Sequence, residues 1–165
     1  MPRLRGGTLL AGERGVTLIE MLIVTAIMGL VAGLSFPSAA AGVEQLRLRS
    51  ASDSIVSFLN TAIDRAERRQ QVVELWISPQ ENALTARSPD LAFSRRLELP
   101  VGFRISNVQP AFANGVLQAR RFLLYPGGTI PRLSVEVASN NNRRRYVSVD
   151  PFTGQPMAHA GAISQ

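Results

Sequence analysis

The chain has no cysteine and no lysine among its 165 residues, and it has a single histidine, His159. Without cysteine, disulfide bonds, thiolate nucleophiles and cysteine-ligated metal sites are excluded. All 18 basic residues are arginine, and they face 12 acidic residues, for a formal net charge of +6. This charge is modestly basic and falls short of what a dedicated nucleic-acid-binding protein carries.

Recognisable catalytic patterns are also missing. No serine lies in a Gly-x-Ser-x-Gly pattern, and no glycine-rich loop has the spacing that holds a phosphate group. The acidic residues are scattered, without the spacing of a metal-binding loop. His159 lies in a C-terminal tail of small residues, where we expect a solvated side chain. The sequence therefore predicts no catalytic residue, no metal site and no cofactor, and a protein that is not an enzyme.

What the chain does have is a long apolar run near its start. Residues 16–34 contain three polar side chains in 19 positions, and the only charge among them is Glu20. A helix of this length is just long enough to cross a bilayer. Residues 1–15 form a leader with three arginines, which holds that end in the cytoplasm. Placing a carboxylate in an apolar segment costs free energy. We therefore expect Glu20 to have a partner of opposite charge and a functional role.

A second helical pattern follows the apolar run. Pro37 predicts a bend, because proline removes one helical hydrogen bond. Residues 43–70 then show apolar or small side chains at spacings of three and four, which predicts an amphipathic helix. The face expected to be buried contains Leu48, Ser52, Ile55, Leu59, Ala62, Ile63 and Ala66.

The pattern changes to short β-forming runs after residue 71. They are separated by Pro, Gly and Asn, which predicts an antiparallel sheet. The predicted strands are residues 72–77, 83–87, 95–99, 103–108, 121–124, 133–137 and 146–149. We expect an α+β fold with the helix on one face of the sheet, and a frayed tail over residues 158–165.

The N-terminal residues carry a resemblance to a known family. Gly15-Val16-Thr17-Leu18-Ile19-Glu20, followed by the apolar run, resembles the prepilin-type signal of type IV pilins and type II secretion pseudopilins. The resemblance implies that an inner-membrane prepilin peptidase cuts between Gly15 and Val16 and methylates the Val16 amine. It also implies that Glu20 pairs with that amine on a neighbouring subunit. Pro37 falls at the mature position where pilin stems commonly have a proline.

The C-terminal half carries a looser resemblance. Residues 122–130, 133–137 and 145–154 are similar to the head of the H-type minor pseudopilins and of the related T-type minor pilins. The chain is then expected to divide into a leader (1–15), a transmembrane and assembly helix (16–36), an amphipathic stem (37–71) and a β-sheet head (72–165). The resemblance implies a pilin-like fold and a single-pass inner-membrane protein with a periplasmic head. Its expected partners are the prepilin peptidase and other pseudopilins, and its expected role is structural within a type II secretion pseudopilus.

Two alternatives remain open at this stage. The first is a type IV minor pilin whose head binds DNA through Arg143, Arg144 and Arg145, although a solvated hairpin is the simpler interpretation of those residues. The second is an ordinary secretory signal cleaved after Ala41, which leaves Glu20 unexplained. The N-terminal motif is common to pseudopili, pili and competence systems, so it does not distinguish between these machines.

Overall fold

The computed structural model describes residues 16–89, 93–110, 118–128 and 130–161, without the side chains of residues 34–40. The chain divides into two compact units, Met1–Ala41 and Gly42–Gln165. The first contains the beginning of the helix, and the second, which we call the head unit, contains the rest of the helix and the strands. The two units are described separately.

Within the described residues, one long helix precedes eight strands. The elements are α1 (Leu18–Arg69), β1 (Val73–Ser78), β2 (Ala83–Arg87), β3 (Ser94–Glu98), β4 (Phe103–Gln109), β5 (Arg120–Leu124), β6 (Ser134–Ser139), β7 (Arg144–Val149) and β8 (Pro156–Ala160). This order confirms the predicted α+β class. Seven of the strands correspond to predicted strands, with ends that differ by one or two residues.

The strands form two antiparallel sheets instead of the one that was predicted. The first sheet has the order β3-β2-β1-β5, and the second has the order β4-β6-β7-β8. Strand β8 was missed, and residues 158–160 of the predicted frayed tail belong to it. The run Pro-Met-Ala-His-Ala contains no β-branched residue, so its pairing with β7 depends on the backbone and not on local propensity.

The core of the head unit joins α1 to both sheets in one cluster of buried side chains. On α1 the buried positions follow the predicted face, except that Ile63 is only partly buried. The buried helix residues are Leu48, Ala51, Ser52, Ile55, Leu59, Ala62 and Ala66. Each fully buried leucine or isoleucine stabilises the fold by about 1.5–3 kcal/mol relative to an exposed position. The amphipathic pattern of the sequence therefore places the helix against the sheets.

One asparagine links the two sheets. Asn82 lies in the turn between β1 and β2 and has a positive φ of 52°. Its side-chain amide donates to the Phe103 carbonyl at 2.8 Å, and its side-chain oxygen accepts from the Ile105 amide at 2.9 Å. Both backbone groups belong to β4, which pairs with β6 on its other side. Asn82 therefore replaces a neighbouring strand along part of the free edge of β4.

Candidate assembly site and basic hairpin

The first turn of α1 is capped by Thr17. The Glu20 amide lies 3.3 Å from the Thr17 hydroxyl oxygen and 3.1 Å from its carbonyl oxygen. Threonine followed by glutamate three residues later is the capping-box pattern, and an acidic side chain in the first turn is favoured by the helix dipole. Glu20 therefore has a local role at the start of the helix. The Thr-x-x-Glu spacing was visible in the sequence, from which only an assembly role was predicted for Glu20.

The start of α1 exposes a large apolar surface together with this carboxylate. Leu18 is 84% exposed and Met28 is 66% exposed, and the Glu20 side chain is exposed as well. Apolar surface on this scale marks a site of contact with a membrane or with other proteins. Among the described residues, no helical segment combines the length and the apolar character that a membrane span requires.

The processing site and the stem bend are described only in part. Val16 is exposed and precedes the helix, whereas Gly15 and the rest of the leader lie outside the described residues. The helix α1 runs from Leu18 to Arg69, and its backbone continues through Pro37. A proline removes a single hydrogen bond, and the turns on either side continue the helical pattern. The bend at Pro37 stays a prediction.

The three consecutive arginines lie in the predicted hairpin between β6 and β7, but they face different surroundings. The Arg143 guanidinium reaches the side-chain oxygen of Gln45 on α1 at 3.5 Å. Arg144 pairs with the buried carboxylate of Glu136 at 3.2 Å, on the outer face of the sheet. Arg145 is half-buried, and by strand alternation it lies on the opposite face from Arg144. The structure therefore does not gather the three side chains on one surface.

His159 is not a solvated tail residue, so that prediction is wrong. It lies in β8 directly opposite Tyr146, and the two rings stack with centroids 4.9 Å apart and an angle of 20° between their planes. Both side chains are partly buried. The ring of Tyr146 is therefore already in contact with an aromatic side chain.

The tip of the hairpin contacts α1 through a hydrogen bond to Glu44. The Glu44 pKa lies below its ordinary value of 4.5, first because of the Ser139 hydroxyl and then because of the Asn141 amide, with a smaller contribution from Arg143. Asn141 donates a short hydrogen bond to the Glu44 carboxylate. The hairpin side chains therefore favour the ionised form of Glu44. Neither Glu44 nor Asn141 was singled out in the sequence, because the contact joins positions 97 residues apart.

This contact predicts a pH-dependent contribution to the stability of the head unit. A carboxyl group whose pKa is lowered by folding stabilises the fold fully above its unfolded value of about 4.5 and loses that contribution as the pH falls through the folded value. We expect Glu44→Gln to lower the urea midpoint at pH 7. The difference from the unmodified chain, compared at pH 7 and pH 3, should become smaller at the lower pH, because the stabilisation is lost as the pH falls below about 4.5 and through the folded value. Asp53→Asn, on the exposed side of α1, is the control; an equal effect of Glu44→Gln at both pH values would contradict the prediction.

Comparison with known proteins gives two findings. The prokaryotic N-terminal methylation motif matches residues 10–36. The fold is similar to that of the minor pseudopilin EpsH from the type 2 secretion system of Vibrio cholerae, with a TM-score of 0.54 and 12% identity, over 69% of this chain and 97% of that one. This chain therefore contains the methylation motif near its start and has a fold similar to that of a minor pseudopilin. None of the curated proteins matches the chain by sequence.

The two findings differ in how much of the chain they cover. The methylation motif includes the predicted cleavage position and Glu20, and it ends at residue 36, directly before Pro37. The fold similarity extends over much more of the chain than the motif does. The predicted resemblance to type IV pilin-like proteins, and to an H-type minor pseudopilin in fold, is therefore confirmed.

Proposed function

We propose that this pilin-like protein is a minor pseudopilin, a structural subunit of the periplasmic pseudopilus of a type II protein secretion system. One observation carries the proposal: a prepilin-type motif at residues 10–36 occurs in the same chain as a fold similar to EpsH, which is named as a minor pseudopilin of such a system. The motif alone is common to pili and pseudopili. The similarity in fold favours the secretion machine.

In the proposed role, the precursor is a single-pass protein of the bacterial inner membrane. The apolar residues 16–34 occupy the bilayer, and the arginines of the leader hold the N-terminus in the cytoplasm. The head unit then lies in the periplasm. A prepilin peptidase removes residues 1–15 and methylates the new amine of Val16. The matched motif and the glycine that precedes Val16 support these steps.

Assembly then depends on Glu20 and on the amine released by cleavage. A lone charge among packed apolar helices costs free energy, because it loses its hydration. Pairing the Glu20 carboxylate with an ammonium group from the next subunit offsets the desolvation cost of both groups. The pair also fixes the axial offset between neighbouring stems. The exposed apolar side chains at the start of α1 supply the packing surface. The role is structural and not catalytic, because assembly requires packing surfaces and one charge pair, without a cofactor. The partners are other pseudopilins and the peptidase.

The N-terminus of the mature protein tests the proposal. We expect mass spectrometry of the protein isolated from its native membrane to show a chain that begins at methylated Val16. Gly15→Leu should leave the leader attached, because a branched side chain then replaces the glycine at the cut. Gly12→Ala, a substitution elsewhere in the leader, is the matched control and should be processed normally. A mature chain that begins at Gly42 would overturn the proposal in favour of an ordinary secretory signal.

The alternative of a type IV minor pilin with a DNA-binding head stays a prediction with less support. The methylation motif fits it equally well. However, Arg144 is paired with Glu136, and the Arg143 guanidinium is directed toward α1. These contacts separate the three basic side chains on which that alternative depends.

A further inference from the structure

The two sheets of the head have four edge strands, and three of them carry features that oppose pairing with another chain. On β3, Arg96 binds the carboxylates of Glu81 and Glu98 at 2.9 Å each. Edge strand β5 begins with two consecutive arginines. Edge strand β4 has a register shift between residues 105 and 107, and Asn82 occupies part of its free edge. Charges, bulges and covering groups are the usual means by which proteins protect a sheet edge.

Strand β8 is the fourth edge and lacks these features. It pairs with β7 in a regular register without a bulge. After Pro156 its residues are methionine, alanine, histidine and alanine, with no arginine and no acidic side chain. In the described part of the chain, no strand lies beyond it in the sheet. A regular edge of small, uncharged residues is the kind of edge to which another strand adds.

The backbone groups that an added strand needs point outward at Ala158 and Ala160. The Asp150 amide donates to the Gln155 carbonyl at 3.0 Å, directly before β8. Because hydrogen-bonded and non-bonded pairs alternate along an antiparallel ladder, the odd-numbered residues of β8 bond to β7. The N–H and C=O groups of Ala158 and Ala160 therefore point away from β7. Both side chains are a single methyl group, which allows a neighbouring strand to approach closely.

The net positive charge of the head unit and one arginine beside this edge indicate an acidic partner. From Gly42 onward the chain has 15 arginines and 10 acidic residues, so the head unit carries a net charge of +5. Arg145 lies opposite Ala160 in the β7–β8 register, and its buried Nε atom has no hydrogen-bond partner among the described residues. Because Ala160 is small, a carboxylate on the next strand over is within reach of the Arg145 side chain. A second copy of this basic head would bring more positive charge to the same edge.

We propose that β8 accepts an extended, acidic segment of a partner protein as a fifth strand of the second sheet. The backbone of Ala158 and Ala160 supplies the hydrogen bonds, and Arg145 selects a carboxylate in the position opposite Ala160. On the other face, alternate apolar side chains of the segment contact Met157, which is 51% exposed and borders a groove of about 810 Å³. This inference concerns the head unit and goes beyond the proposed function, since it holds for any filament that the stem serves.

The test uses the full-length chain in detergent micelles and a dye-labelled peptide of alternating valine and glutamate. We expect the peptide to bind and to slow hydrogen exchange at the Ala158 and Ala160 amides, with little change at Met157, whose amide already bonds to β7. Binding should weaken as the salt concentration rises. A peptide with lysine in place of glutamate should not bind. This measurement needs no variant, and the exchange pattern locates the site.

Two variants then distinguish the contribution of the backbone hydrogen bond to binding from that of the Arg145 charge. Ala158→Pro removes one outward N–H group and is compatible with an edge strand, so it should raise the Kd about ten-fold. Ala158→Val keeps that N–H group and is the matched control. Arg145→Gln should weaken the binding and reduce its dependence on salt. Failure of the glutamate peptide to bind, equal binding of the lysine peptide, or full binding by a folded Ala158→Pro chain would overturn the proposal. Protection of the two amides that rises with protein concentration alone would also overturn it, in favour of a second copy.

Discussion

Replacing Glu20 with glutamine should prevent the protein from entering filaments while leaving cleavage after Gly15 intact. In the proposed assembly, the Glu20 carboxylate meets the Val16 ammonium group of the next subunit among apolar side chains. Glutamine has a similar shape and no charge, so it leaves that ammonium group without its counter-charge. Removing one partner of a buried charge pair costs about 3–5 kcal/mol, which corresponds to at least about a hundred-fold loss of incorporation.

The controls separate the charge of Glu20 from its position in the capping box. Thr17→Ala removes the capping hydroxyl at a cost of about 1 kcal/mol but keeps the carboxylate, so it should still enter filaments. Glu20→Asp keeps the charge on a shorter side chain and should restore part of the incorporation. The measurement is the fraction of processed protein recovered in sheared filaments, relative to the major subunit. Equal losses in Thr17→Ala and Glu20→Gln would show that helix capping, and not the intersubunit charge pair, is what assembly needs.

The sequence predicted the helix and most strands because both depend on local patterns. Spacings of three and four placed Leu48, Ile55 and Leu59 on the buried face of α1, and each is at most 3% exposed. Short runs of apolar and β-forming residues, bounded by turn residues, predicted seven of the eight strands. The N-terminal motif was also visible in consecutive residues, which is why the processing site and Glu20 could be proposed before the structure was known.

The sequence did not predict features that depend on distant contacts. The run that forms β8 has low β propensity, and its strand exists because β7 lies beside it. The separation into two sheets also has no local signal, since it depends on which strand pairs with which. In the hairpin, three consecutive arginines suggested one basic patch. Strand alternation and the contacts of Arg143 and Arg144 place the side chains in separate surroundings.

Edge protection is another property that appears only once the strands are paired. Asn82 was expected to lie in a turn, and no pattern in the sequence connects it with β4. Its side chain bonds the backbone of two residues that are 21 and 23 positions further along the chain. The contrast between a covered edge at β4 and a regular, uncharged edge at β8 therefore follows from the tertiary structure. In the proposed role the subunit joins a filament, so protected edges at three strands would limit unwanted strand pairing, while the edge of β8 stays available to a partner.

Replacing Asn82 with alanine should be one of the most destabilising changes outside the apolar core. The substitution leaves the Phe103 carbonyl and the Ile105 amide without their partners, and both residues are buried. Each unsatisfied buried group costs about 1–3 kcal/mol. Alanine at a positive φ adds strain of order 1 kcal/mol. The expected loss in the free energy of unfolding is therefore about 3–7 kcal/mol, measured by urea denaturation of the full-length chain in detergent.

Matched variants distinguish the two causes of this loss. Asn82→Gly tolerates the positive φ and removes only the side-chain bonds, so it should be less destabilising than Asn82→Ala by about 1 kcal/mol. Asn82→Asp keeps an acceptor for the Ile105 amide but places a carboxylate against the Phe103 carbonyl. Its loss in the free energy of unfolding should therefore be close to that of Asn82→Ala. Asn60→Ala, on the exposed side of α1, should change the stability by at most about 0.5 kcal/mol. A loss below about 1 kcal/mol for Asn82→Ala would mean that water replaces the side chain at the edge of β4, and that the two sheets are held together by the apolar core alone.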